Sequence, residues 1–120
     1  MNTTQTRFGA KQIVIILLTV ATAIVHLSLA FSAYGSGDMQ TTVMFTLNGL
    51  GYLALLAAYY LPIRFFQRYH NLVRWAFIAF AAVTVLGWAV MGDRSPLAYA
   101  DKLAELALIV LLFTDKNRST

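Results

Sequence analysis

The chain of 120 residues is too apolar for an ordinary water-soluble domain, because 59% of its residues are hydrophobic, 12% are charged and its mean hydropathy is +0.67. It has no cysteine, which excludes disulfides, thiolate nucleophiles and cysteine-ligated metal sites. The net charge of +4 would suggest nucleic acid as a partner of a soluble protein, but here the basic residues flank apolar segments, so we expect membrane lipids and no nucleic acid.

Four apolar segments predict four transmembrane helices, because each is near the length of about 17–25 residues that a helix needs to cross a bilayer. Their predicted ranges are 12–34, 42–61, 72–91 and 96–113. Gly35 to Gly37, Pro62 and Gly92 separate them, and Ser95 followed by Pro96 is typical of a helix start. We therefore predict one all-α domain over residues 1–120, built as an up-down antiparallel bundle of four transmembrane helices.

The first segment follows Arg7 and Lys11 and so begins like a signal peptide. Its apolar run is longer than the roughly 7–15 residues of a signal-peptide core, so we expect it to be retained as a membrane span.

Lysine and arginine are distributed unevenly between the two ends of the predicted bundle. With four spans, both termini and the connection at 62–71 share one side of the membrane. That side carries Arg7, Lys11, Arg64, Arg68, Arg74, Lys116 and Arg118, and the other side carries Arg94 and Lys102. This distribution predicts a multi-pass protein of the cytoplasmic (inner) membrane with both termini in the cytoplasm. Arg64, Arg68 and Arg74 would form a basic cytoplasmic face.

A few polar residues fall inside the predicted spans at similar depth. At about 1.5 Å of rise per residue, His26, Asn48 and Glu105 lie roughly 12, 9 and 14 Å below the outer ends of their spans. Asp101 and Glu105 share one face of the fourth helix, and Lys102 can reach Glu105 or extend to the interface. Since the first and fourth spans are neighbours in an up-down bundle, we expect His26 to meet Glu105.

Three interpretations of this polar layer stay open. Its groups could satisfy one another and fix the register of the helices. They could instead form a ligand or proton site that opens to the outer face, because a buried carboxyl group beside an imidazole can exchange a proton. In the third interpretation, Asp101 and Lys102 lie among lipid headgroups and only Glu105 is buried.

Haem and metal sites are not predicted. The second histidine, His70, lies at the cytoplasmic end, so the chain cannot clamp a haem between two imidazoles at one depth. The helices also lack the Glu-x-x-His spacing of dinuclear sites and a histidine pair one turn apart. The sequence leaves the cofactor unknown, including a bound lipid, quinone or pigment.

Three segments carry a resemblance to a known group of proteins. They are HLSLAF at 26–31, FTLNGLGYLALLAAYYLP at 45–62 and PLAYADKLAELALIVLLF at 96–113. Together they resemble uncharacterised small four-span membrane proteins of bacteria and archaea. The resemblance covers nearly the whole chain and implies the fold and the membrane location, but no activity.

A second likeness is to the small multidrug-resistance transporters, which share the length, the four spans and a membrane-embedded glutamate and work as dimers. Their glutamate is in the first span, whereas Glu105 is in the fourth, so this likeness is one of architecture.

The sequence thus predicts a non-enzymatic membrane protein, an accessory or structural subunit of a larger membrane complex that packs against other transmembrane subunits or against itself. The argument is one of elimination, because the chain lacks a soluble domain and a nucleophile constellation. The alternative is a small homodimeric proton-coupled transporter that uses Glu105 and His26.

Overall fold

The computed structural model describes residues 9–91 and 95–115, and over these ranges the chain is helical apart from short connections. The five helices of this part of the chain are α1 Ala10–Gly35, α2 Met39–Tyr60, α3 Arg64–Arg68, α4 His70–Met91 and α5 Pro96–Thr114. The all-α prediction is confirmed. The four long helices coincide with the four predicted segments, and the short α3 is an addition in the connection at 62–71. Arg7, Arg94, Lys116 and Arg118, which entered the predicted charge asymmetry, lie outside the described residues, as does Gly92.

Short polar residues start two of the helices. Ser95 caps α5, because its Oγ accepts a 3.2 Å hydrogen bond from the backbone N–H of Ala98, and Pro96 takes the first helical position as predicted. Asp38 caps α2 in the same way, since its carboxylate accepts from both the backbone N–H and the hydroxyl of Thr41, at 3.1 and 2.6 Å. These caps fix where α2 and α5 begin.

The long helices pack in a closed ring. α1 contacts α2 and α5, and α4 contacts the same two helices, so that α2 and α5 lie diagonally across from each other. The buried apolar side chains between them are Ile15, Ala23, Tyr52, Tyr59, Phe77, Ala81, Leu108 and Leu112. The body is elongated, with extents of 54 × 24 × 19 Å.

Two glycines of α2 allow close helix contacts. A Cβ at Gly49 would lie 2.7 Å from Leu27 Cγ and 3.1 Å from the Ala23 carbonyl oxygen of α1. A Cβ at Gly51 would lie 2.5 Å from Phe80 Cζ of α4. Both distances are shorter than van der Waals contact, so glycine is needed at both positions for this packing.

Three helices of the described part of the chain, α1, α2 and α4, are long and apolar enough to cross a membrane. α5 is not one of them, and it carries Asp101, Lys102 and Glu105 within little more than one turn. The outer surface of the long helices is apolar: Phe31, Val83, Val90 and Leu103 are between 67% and 81% exposed. Side chains of this kind need an apolar environment around them.

Candidate functional site

Six buried polar side chains meet between three helices. They are Thr22 and His26 of α1, Tyr52 of α2, and Asp101, Lys102 and Glu105 of α5. Each is at most 6% exposed. The α5 residues converge because residues three and four apart share one face of a helix. We call these six residues the polar cluster.

Glu105 has no exposed surface, and the same is true of Tyr52 in the polar cluster. Its Oε2 accepts a hydrogen bond from the Tyr52 hydroxyl at 2.6 Å and lies 3.3 Å from the Thr22 hydroxyl. Its Oε1 pairs with the ammonium of Lys102 at 2.6 Å. Oε2 therefore has a hydrogen-bond donor, while Oε1 makes no hydrogen bond and has the Lys102 ammonium as its ion-pair partner, and both contacts offset the cost of burying the charge.

Asp101 contacts two of the same side chains. The Thr22 hydroxyl lies 2.5 Å from its Oδ1, and the Lys102 ammonium lies 3.2 Å from its Oδ2. Thr22 has a single hydroxyl proton, and the shorter distance assigns that proton to Asp101 in preference to Glu105. Lys102 thus bridges the two carboxylates.

The orientation of His26 leaves one ring nitrogen, Nε2, able to accept a proton or a hydrogen bond. Nδ1 lies 2.7 Å from the carbonyl oxygen of Thr22, which can only accept, so Nδ1 carries the proton. The other nitrogen, Nε2, faces Asp101 Oδ2 at 3.8 Å, too far for a hydrogen bond. The ring is held at its sides by Phe45 and Tyr52, with centroid distances of 5.7 and 6.1 Å.

The polar cluster borders a cavity of about 570 Å³ that all four long helices line. This volume is in the range of small-molecule sites. Its polar wall consists of His26, Asn48, Thr84, Asp101 and Lys102, and the rest of the lining is mainly apolar and aromatic. The cavity also reaches Thr41, Trp88 and Ser95, so it extends from the polar cluster toward the end of the bundle where α2 and α5 begin.

Asn48 lies on the cavity wall one turn before Tyr52 on α2. Its Nδ2 donates a 2.8 Å hydrogen bond to the Thr84 hydroxyl, and that hydroxyl donates to the Phe80 carbonyl oxygen at 2.9 Å. The other amide atom, Asn48 Oδ1, is buried and has no hydrogen-bond partner. An unpartnered buried acceptor on a cavity wall is a position where a ligand donor would be favourable.

A metal ion would have to compete with Lys102. Ligand atoms of His26, Asp101 and Glu105 lie within 4.8 Å of one another, a spacing that could hold a cation. The ammonium of Lys102 already bridges both carboxylates, however, and supplies the positive charge at that position. We therefore interpret the group as an ion-pair network.

The opposite end of the bundle has its own polar layer. Asp115, 4% exposed, accepts from the Tyr59 hydroxyl at 2.6 Å and from Gln12 Nε2 at 3.0 Å. Lys11 Nζ donates to the carbonyl oxygen of Thr114 at 3.1 Å. This layer joins the start of α1 to the ends of α2 and α5.

Arg74 belongs to this end but not to an exposed basic face. Arg64 and Arg68 are exposed on α3, as the prediction of a basic face requires. Arg74 is only 4% exposed, and its Nη1 lies 3.1 Å from the Leu112 carbonyl oxygen and 3.3 Å from that of Phe113. The prediction for Arg74 is corrected because its position on α4 turns it toward the end of α5, where it satisfies open carbonyl groups.

Only some residues of the predicted polar layer meet in one site. The structure brings together His26, Asp101, Lys102 and Glu105, while Asn48 pairs with Thr84 across the cavity. The imidazole faces Asp101, and Glu105 accepts its hydrogen bond from Tyr52, which differs from the expected pair of His26 and Glu105. The interpretation that leaves Asp101 and Lys102 in headgroups is wrong, because each is only 6% exposed.

Sequence reasoning missed Thr22 and Tyr52. Thr22 is one turn before His26 and hence on the same face of α1, which is a usable signal. Tyr52 carried no such signal, since a single tyrosine in an apolar helix is most simply read as core or interface.

Comparison with known proteins gives a family without a function. A family model described as a family of unknown function, DUF7475, matches residues 3–114. No curated protein and no solved structure matches the chain. The match agrees with the resemblance to an uncharacterised family that the sequence suggested.

Proposed function

We propose that this chain, which belongs to the DUF7475 family of unknown function, is a small membrane carrier. It binds an amphipathic molecule in its cavity and exchanges it for protons. The observation that carries this proposal is the placement of buried His26, Asp101 and Lys102 on the wall of a 570 Å³ cavity. A purely structural network needs no adjoining space of ligand size, whereas a carrier needs both a cavity and a group that changes its charge.

Several features support a membrane location with four spans. α1, α2 and α4 have the required length and composition. The ionisable groups of α5 are buried inside the bundle, while Leu103, Val110 and Phe113 on its outside are 57–68% exposed. α5 could therefore cross the bilayer as a fourth span with its charges shielded, in an up-down antiparallel bundle.

The proposed orientation places both termini in the cytoplasm. It rests on the excess of lysine and arginine near the termini and α3. A reporter fused after Thr120 tests it: we expect cytoplasmic activity, and activity on the periplasmic or external side alone would reverse the proposed topology. In this orientation the cavity opens toward the outer side.

The two polar layers suit a carrier. The cavity extends from the polar cluster to one end of the bundle, while the hydrogen bonds of Asp115, Tyr59 and Gln12 tie the helices together at the other end. Transport would require the second layer to open when the first closes. His26 Nε2 is suited to take and release the proton, because Nδ1 is already fixed by Thr22.

Sealed vesicles test the carrier proposal directly. Purified protein is reconstituted with a pH-sensitive dye inside, and amphipathic amines, carboxylates and neutral amphiphiles are added outside in turn. We expect one class to change the internal pH in vesicles with the native chain. His26→Gln, which keeps a hydrogen-bond acceptor but cannot carry the exchanged proton, should fold and lose this signal. Vesicles that stay silent with every class, although the protein is folded, would contradict the proposal.

A second candidate is the accessory or structural subunit of a larger membrane complex, which predicts no enzymatic activity. The extensive apolar outer surface favours it, because large exposed side chains such as Phe31 (81%) and Val90 (80%) could contact other spans as well as lipid. Purification in mild detergent followed by mass analysis separates the two. Stoichiometric foreign subunits support the accessory role, and a homodimer free of other proteins supports the carrier.

A further inference from the structure

The polar wall of the cavity has more acceptors than donors. His26 Nε2 has no proton in the neutral ring and faces Asp101 Oδ2 across 3.8 Å. In the lining of the same cavity, Asn48 Oδ1 is a buried acceptor without a hydrogen-bond partner. Lys102 is the cation of this wall, and both carboxylates engage it. A ligand that meets this wall should therefore bring N–H or O–H donors.

The charges of the polar cluster favour a positive ligand. Asp101 and Glu105 contribute two negative charges and Lys102 one positive charge, which leaves an excess of one negative charge while His26 is neutral. No other helix supplies a compensating group: Tyr52 of α2 is a donor to Glu105, and the described residues of α4 that line the cavity are uncharged. Net charge in a buried site is unfavourable, so the cluster gains from one further positive charge.

A proton and an ammonium group can each supply this charge at the same place. His26 Nε2 and Asp101 Oδ2 are 3.8 Å apart, which is too long for a direct hydrogen bond, and both residues line the cavity. A proton on Nε2 would turn this contact into an ion pair. A ligand nitrogen between the two atoms could donate one N–H to each, at ordinary hydrogen-bond lengths of about 2.9 Å.

The apolar lining of the rest of the cavity indicates that the body of the ligand is apolar. Phe45, Phe80, Trp88, Leu29 and Val83 give most of it an apolar surface. Aromatic rings near a cation also attract it through their faces. A ligand with one charged end and an apolar, preferably aromatic, body fits both parts of the cavity.

We propose that the cavity binds a protonated primary or secondary amine with an apolar body, whose N–H groups donate to His26 Nε2 and Asp101, and that it binds in exchange for the proton that His26 otherwise carries. The inference rests on the proposed function and names its substrate class. The exchange balances, because one singly charged ammonium enters as one proton leaves Nε2 for water.

Calorimetry of the purified full chain in lipid nanodiscs tests this proposal, with 2-phenylethylammonium as the probe. Titration in two buffers of different ionisation enthalpy counts the protons released. We expect saturable binding with up to one proton released per ligand. The N,N,N-trimethyl analogue has the same charge and body but no N–H, and we expect it to bind about tenfold or more weakly. The anion 3-phenylpropionate should not bind.

Two variants connect the binding to the named residues. His26→Gln keeps a hydrogen-bond acceptor but cannot titrate, so we expect it to retain amine binding and lose proton release. Asp101→Asn removes the negative charge and should weaken binding by about tenfold or more. Tyr34→Phe, an exposed position away from the cavity, is the matched control and should behave like the native chain. Thermal unfolding of each variant confirms that it is folded.

The results separate this inference from the proposed function. Equal binding of the amine and its trimethyl analogue, tighter binding of the carboxylate, or absence of amine binding to the folded protein would overturn the amine class. Vesicle uptake driven by a different class would do the same while preserving the carrier. Amine binding with proton release but no flux into sealed vesicles would support the amine site and contradict transport.

Discussion

The hydroxyl of Tyr52 donates a 2.6 Å hydrogen bond to Glu105 Oε2 and so joins α2 to α5 across the middle of the bundle. These two helices lie diagonally opposite, and α1 and α4 pack between them. Lys102, which neutralises the other oxygen, belongs to α5 itself. Tyr52 is therefore the residue through which α2 contacts the buried carboxylate of Glu105.

Removing this hydroxyl should destabilise the bundle. Tyr52→Phe keeps the ring and leaves Glu105 without its shortest donor from another helix. We expect a loss of about 1–3 kcal/mol by analogy with hydrogen bonds to charged groups, near the low end because such bonds in membranes average about 0.6 kcal/mol. Unfolding in mixed micelles, followed by circular dichroism, measures it. Tyr34→Phe is the control, since Tyr34 is 63% exposed, and a loss no larger than that of the control would contradict the role of Tyr52.

Two glycines with different surroundings give a second prediction. At Gly49 a Cβ would meet Leu27 Cγ at 2.7 Å and the Ala23 carbonyl oxygen at 3.1 Å, whereas at Gly87 it would meet no atom within 4 Å. We expect Gly49→Ala to cost about 1–3 kcal/mol through overpacking of α1 against α2. Gly87→Ala should be neutral or stabilising by up to about 1 kcal/mol, because alanine favours the helix. Unfolding midpoints of the two variants in the same micelles check the order, and a reversed order would show that Gly49 is not a packing position.

The helices could be predicted from the sequence because their signals are local. Length, hydropathy, the stop at Pro62 and the start signal at Ser95-Pro96 defined the segments that became α1, α2, α4 and α5. The polar layer could also be predicted, since His26, Asp101, Lys102 and Glu105 stand out in apolar surroundings. Short α3 had no such signal, because five residues between two breaks contain no full period of a pattern.

The partners within the layer could not be predicted, because they depend on how each helix is rotated. Tyr52 carries no polar pattern in its span, and Thr22 is marked only by its spacing from His26, yet the hydroxyl of Thr22 donates to Asp101 and that of Tyr52 to Glu105. Arg74 was assigned to an exposed face by its position near a span end, and the rotation of α4 buries it. The cavity likewise depends on the side chains of four helices and has no signature in any one of them.

Asp38 provides a pH-dependent test at the start of α2. The hydroxyl and the backbone N–H of Thr41 both donate to its carboxylate, and these bonds hold the pKa of Asp38 below its ordinary value of 3.8. Since the pKa is lowered in the folded state, the stabilising effect of this cap is complete above that ordinary value and is lost as the pH falls through the lower folded pKa. An NMR titration of the Asp38 carboxyl carbon in micelles measures it.

Substitutions separate the two sources of this shift. Thr41→Val removes the hydroxyl but keeps the backbone donor, so the pKa of Asp38 should rise toward its ordinary value. Asp38→Asn keeps a capping oxygen and should make the first turn of α2 insensitive to acid over the same range. An unchanged pKa in Thr41→Val would show that the hydroxyl does not hold the carboxylate.

The last prediction concerns the buried guanidinium of Arg74. Its Nη1 donates to the carbonyl oxygens of Leu112 and Phe113 in the last turn of α5, and the Leu112 oxygen also accepts from the backbone N–H of Asp115 at 3.1 Å. Its Nε and Nη2 donate to Asn71 Oδ1 at 3.2 and 2.9 Å, which fixes the plane of the group. Arg74→Ala should cost about 1–3 kcal/mol, because it removes the guanidinium bonds to both carbonyl oxygens and leaves the Phe113 oxygen without this donor, and the lost positive charge near a helix C-terminus adds to the effect. Arg74→Lys should recover part of the loss, because one ammonium can reach a carbonyl oxygen but cannot reproduce the planar set of bonds.

Hydrogen exchange measures the effect of Arg74 on the end of α5. Exchange should accelerate at residues 110–114 in Arg74→Ala and stay native in Arg64→Ala, the exposed control on α3. Equal exchange in the two variants would mean that Arg74 does not hold the end of α5.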